Sequence, residues 1–148
     1  MTSDGISAED WDHVHQLVLE IVNSEDDANE GTSRERLFVY LDDLTKKYGE
    51  LPSICATRAD YVEQPSESER LLLRAFDLAI GRSDESNLRS ISLSLANLYA
   101  RELPDVVAAA RWLEIAHAHL NAEDESDVWE YNRIRDAIEA LKNRKNPN

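Results

Sequence analysis

The chain has 148 residues, enough for one domain with a real core, and its 42% hydrophobic and 31% charged residues are a globular balance. A formal net charge of −14 works against nucleic acid and anionic membranes as partners and favours basic proteins. The single cysteine, Cys55, excludes an internal disulfide, and the N-terminus lacks the features of a signal peptide. No apolar run reaches the roughly 18 residues needed to cross a bilayer, so the expected location is the cytoplasm. Acidity is uneven: residues 1–63 hold 15 acidic and 5 basic residues, residues 64–148 hold 15 and 11. The plain alternative is that acidity only keeps the protein soluble.

In chain order the pattern predicts about seven helices in one all-α domain, residues 1–148, with residues 1–6 and 144–148 frayed. Ser7 caps the first helix, with Glu9 and Asp10 at the positive end of its dipole. Trp11, Val14, Leu17, Val18, Ile21 and Val22 form its apolar stripe. Asn23 to Gly31 reads as an acidic loop, after which Thr32 and Glu35 form a capping box. Leu37, Leu41, Leu44 and Tyr48 face inward until Gly49. Pro52 suits the start of a short helix over Ser53 to Tyr61, or the segment crosses as a loop. Ser66 and Glu69 make a second capping box before Leu72, Phe76, Ala79 and Ile80, and Gly81 ends that helix.

Ser83 or Asp84 starts the next helix, with Leu88, Ile91, Leu95 and Leu98 at helical spacing, and Pro104 stops it. Asp105 caps the helix from Val106 to Asn121. That helix is apolar on several sides, as expected of a central helix packed between neighbours. Glu123 to Asp127 is a second acidic loop, in which Ser126 or Asp127 caps the last helix. Val128, Tyr131, Ile134, Ile138 and Leu141 form its stripe.

Residues that carry chemistry are sparse, and no enzyme, cofactor or metal is expected. His13 and His15, like His117 and His119, are two apart and so point about 200° apart on a helix, which prevents chelation. Of the second pair, His117 is expected near the core and His119 nearer solvent. Cys55 reads as an inert thiol, with Arg58 the one neighbour able to lower its pKa. There is no glycine-rich phosphate loop and no nucleophile elbow. Trp112 is expected in the core, and Trp129 lies beside the acidic loop and off its helix's stripe. It is therefore the candidate exposed anchor for a cationic partner.

Leu95, Ala96 and Tyr99, followed by Ala109, Leu113 and Ala116, resemble a tetratricopeptide or Sel1-type helical hairpin. Leu72, Phe76 and Ala79 resemble its second helix 37 residues earlier. Leu72 stands where the pattern has Ala, and the usual tryptophan and later proline are missing. The resemblance covers residues 67–143 and implies a stack of hairpins that binds proteins. An ordinary helical bundle with alanines at close contacts accommodates the same residues.

In overall character the chain is also similar to bacterial immunity proteins, which bind and block a toxin, often a basic nuclease. That likeness implies a basic partner held by Glu25, Asp26, Asp27, Glu30, Asp42, Asp43, Glu123, Asp124, Glu125, Asp127 and Trp129. The hairpin resemblance instead implies a groove lined by residues such as Asn97, Arg101 and Arg111. The distribution of carboxylates on the folded surface discriminates between the two.

Overall fold

A computed structural model describes residues 1–145, and among them the chain is all-helical: α1 (Ala8–Val22), α2 (Asp27–Tyr48), α3 (Pro52–Tyr61), α4 (Pro65–Gly81), α5 (Glu85–Arg101), α6 (Val106–Ala118) and α7 (Glu125–Lys145). Side chains set most of the starts. Ser7, Asp26, Asp84 and Asp105 each accept a hydrogen bond from the backbone N–H three residues on, filling a donor that the helix leaves unpaired. α3 and α4 begin instead with a proline, which has no N–H to satisfy.

Short connections pair α1 with α2, α3 with α4 and α5 with α6, and α7 packs against both α5 and α6. α5 touches α3, α4, α6 and α7 and is the hub of the molecule. The expectation that α6 is central is thus corrected. α6 packs on α5 and α7, leaving Val107 70% exposed. Its apolar character comes largely from alanines, which need little cover. α5 tolerates burial on several sides because its buried Ser92 hydroxyl donates to Leu88 O at 2.5 Å and leaves no polar atom unpaired.

α3–α4 and α5–α6 share a pattern of apolar positions at an offset of 37 residues. Leu51, Ile54 and Ala59 match Leu88, Ile91 and Ala96 in the first helix; Leu72, Phe76 and Ala79 match Ala109, Leu113 and Ala116 in the second. All are buried except Phe76, which packs edge-on against Trp112 at 4.8 Å between ring centroids. The fully buried alanines allow close approach of helices where larger side chains would hold them apart.

The N-terminal segment is not frayed. Ile6 is 0% exposed in the core of α1, α2 and the start of α3. Asp4, 4% exposed, accepts from Ser53 N and Ser53 Oγ, both at 2.8 Å. α3 has no side-chain cap of its own at Leu51, so Asp4 supplies one from outside the helix. Asn87 Nδ2 bridges Asp4 and Asp84, and Arg82 donates to Asp4 O at 3.1 Å. At the other end α7 continues through Arg144 and Lys145, and residues 146–148 lie outside those described.

Several helix boundaries differ from the sequence pattern. α2 begins at Asp27, because Asp26 caps it at 2.8 Å; Thr32 lies inside the helix and its hydroxyl donates to Ala28 O. Ser66 is likewise inside α4, with Pro65 already helical. Ile80 is 55% exposed, and Leu71, Leu72, Ala75 and Ala79 form the buried face. The turn after α4 is made by Ser83 in the left-handed region, φ 52°, rather than by Gly81. α6 stops at Ala118, so His119 turns back to pair with Glu85 at 2.7 Å and is half-buried while His117 is exposed, the reverse of expectation. Asp124, not Ser126 or Asp127, caps α7 by accepting from the backbone of both.

Candidate functional site

A cleft of about 200 Å³ lies between the end of α3, the start of α4, the middle of α5 and the start of α7. Ala59, Val62, Leu72 and Leu98 supply its apolar lining. Asp60, Glu102 and Glu130 bring carboxylates from three different helices or their ends, and Ser68, Ser94 and Asn97 add neutral polar groups. The repeated hairpin explains part of this composition: Asp60 and Asn97 are the same position in the two copies, each one residue past the buried alanine of its first helix.

The two equivalent side chains differ in how they are satisfied. Asn97 Oδ1 accepts from Arg101 Nε at 2.8 Å. Asp60 has no hydrogen-bond or ion-pair partner among the described residues. It reaches water at the cleft mouth, yet protein surrounds it closely enough that desolvation pushes its pKa from 3.8 up to about 6. Asp10 shows the opposite environment. Asp10 accepts from Tyr48 and Lys47 at 2.5 and 2.7 Å, bonds that, Lys47 foremost, hold its carboxyl down at about 2. An unpaired carboxylate in a concave polar site is a receptor for a cation or for a hydrogen-bond donor.

Trp129, next in sequence to the cleft-lining Glu130, is 64% exposed. Its neighbour Glu130 lines the cleft; Arg133, one turn on, pairs with Glu130 at 3.2 Å and lies over the indole at 5.4 Å.

The two acidic loops are anchored at different helix ends. Arg89 pairs with Asp127, and Glu85 with His119, so the loop before α7 lies at the N-terminal end of α5. Arg34 pairs with Glu63 at 2.7 Å, which sets the start of α2 beside the C-terminal end of α3. The starts of α3 and α5 are tied together through Asp4 and Asn87.

Many of the expected interface acids have a structural role. Asp26 and Asp124 are caps, Glu30 pairs with Arg34, Asp42 with Arg58 at 2.5 Å, and Asp127 with Arg89. Glu25, Asp27, Asp43, Glu123 and Glu125 are exposed and free of such contacts among the described residues. Of the groove residues, Asn97 lines the cleft and Arg101 braces it. Arg111 is exposed on α6, outside the cleft lining.

The remaining sequence candidates are inert. Burial raises the Cys55 thiol pKa, the nearby Glu50 charge adds to it, and Arg58 is turned toward Asp42 and the Phe38 ring. Among the described residues no group of three His, Cys, Asp or Glu is arranged to hold a metal, and no helix is long and apolar enough to cross a membrane.

Asp60, Ser68, Ser94, Glu102 and Glu130 were not legible as a site from composition. Extending the 37-residue period into the first helix of each hairpin aligns Asp60 with Asn97 and is the signal that finds it. Comparison with known families, curated proteins and solved structures finds no match to the chain.

Proposed function

We propose that this chain is a non-enzymatic, cytoplasmic protein-binding domain of stacked, tetratricopeptide-like hairpins that takes a basic segment of a partner protein into the cleft of Asp60, Glu102 and Glu130. The observation that carries this reading is the cleft itself, where Asp60, a solvent-exposed carboxylate without a partner among the described residues, shares one concave polar lining with Glu102 and Glu130. The repeated hairpin supports it, since such stacks place side chains from successive first helices on one continuous surface. The net charge of −14 adds long-range attraction for a basic partner.

Calorimetric binding of an N-acetylated hexa-arginine peptide tests the reading. Binding weakens as salt rises, and replacing Asp60→Asn, Glu102→Gln and Glu130→Gln together lowers affinity about tenfold or more. Unchanged affinity in the triple variant sinks it. A second reading, an immunity-type inhibitor that covers a basic toxin or nuclease domain with its acidic loops, is favoured by the exposed and unengaged Glu25, Asp27, Glu123 and Glu125. It predicts that Glu123→Lys with Glu125→Lys weakens binding more than the cleft variant does; Asp124 is left in place because it caps α7.

A further inference from the structure

Trp129 is the largest side chain that the fold leaves open, at 64% exposure, although indoles are seldom so exposed. It is not bare. The chain's own Arg133 lies over its ring at 5.4 Å and is tethered by Glu130 at 3.2 Å, both contacts being within one helical turn. A cation held over an indole and beside a carboxylate is the arrangement by which an aromatic surface binds guanidinium. Glu130 also lines the cleft, so the two features share a side chain.

We propose that Trp129 and Glu130 form a guanidinium site at the cleft rim, filled in the free protein by Arg133 and vacated for an arginine of the partner. This rests on the reading of the partner as basic and adds to it the recognised group and an internal competitor. Arg133 is well suited to that role. It is exposed, its contacts are with near neighbours on α7, and leaving the indole costs no buried contact. An incoming arginine reproduces both the ion pair and the stack while Arg133 returns to water, so the exchange is close to neutral and selects for guanidinium. A lysine has no planar group to lay on the ring.

The same hexa-arginine peptide, with hexa-lysine beside it, tests the exchange. Arg133→Gln tightens hexa-arginine binding about fivefold, and Trp129→Ala weakens it about fivefold. In the double variant the gain from Arg133→Gln disappears, because the site it opens is gone. Arg101→Gln is the control. It removes the same charge beside the cleft, from a side chain bonded to Asn97 and not over the indole, and gives a smaller gain that is indifferent to Trp129.

Equal gains from Arg133→Gln and Arg101→Gln, or a gain that survives Trp129→Ala, overturn the proposal, as does equal preference for lysine and arginine peptides. If Asp60→Asn weakens binding while Trp129→Ala and Arg133→Gln do nothing, the rim site falls and the cleft stands. If the rim variants act and the cleft variants do not, the rim site stands alone. Absence of peptide binding by every variant overturns both.

Discussion

The hairpins α3–α4 and α5–α6 share an apolar code, yet they differ at the two places where polar chemistry enters. At the start of the first helix, α5 carries its own cap in Asp84, whereas α3 borrows Asp4 from the N-terminal segment. At the cleft, Asn97 is satisfied within the molecule and Asp60 is not. One hairpin is self-sufficient and the other is completed from outside, by the N-terminus at one end and, in the function proposed, by a partner at the other. A carboxylate that only water satisfies is open to a ligand, and Asn97 shows the version satisfied within the molecule.

The largest effect expected from breaking this asymmetry is at the borrowed cap. Asp4→Ala leaves Ser53 N and Oγ without their acceptor in a buried site and loosens Ile6, so we expect a loss of about 2–4 kcal/mol in urea unfolding. Close helix contact is next. Ala96→Leu at a fully buried alanine of α5 overpacks the hub and costs about 1–3 kcal/mol. If Ala59→Leu is much cheaper, the two hairpins are not packed alike.

A smaller effect, with a defined pH signature, is expected at the cleft. The folded-state pKa of Asp60 is raised to about 6 from 3.8, so the folded protein binds that proton more tightly than the unfolded chain. Its contribution is therefore unfavourable above about pH 6 and fades as pH falls toward 4. Asp60→Asn, which copies Asn97, should stabilise the protein at pH 7 and match the wild type below pH 4. A pH-independent difference between the two removes desolvation as the cause. Asp10 has the opposite sign. With its pKa lowered from 3.8 to about 2, its favourable contribution is present above about pH 4 and is lost as pH falls toward 2. Asp10→Asn should flatten that acid limb, and salt should shrink the difference because its partner Lys47 is exposed.

The smallest change is expected at Trp129. Its replacement by Ala should move stability by no more than about 0.5 kcal/mol, which separates its binding role from any structural one.

The number of helices, most of their apolar faces and three of their caps, Ser7, Asp84 and Asp105, follow from local rules that need only neighbouring residues: periodicity, a capping oxygen, a proline. Thus Val14, Leu17 and Ile21, or Ile134, Ile138 and Leu141, point inward as their spacing requires. Local rules fail where satisfaction comes from far along the chain. Residues 1–6 look like a polar tail until Ser53 and Asn87 close around Asp4. The alanine-rich α6 outranks α5 in apolar character, but burial follows position in the stack, and the serine of α5 is silenced by its own helix. The acidic loops are conspicuous in sequence, yet several of their carboxylates are engaged in caps and ion pairs within the fold. Meanwhile Asp60, Glu102 and Glu130, unremarkable in three separate segments, become neighbours of one cleft. Periodicity fixes which face of a helix is apolar; only packing brings together side chains dozens of residues apart, and the candidate site is made entirely of such meetings.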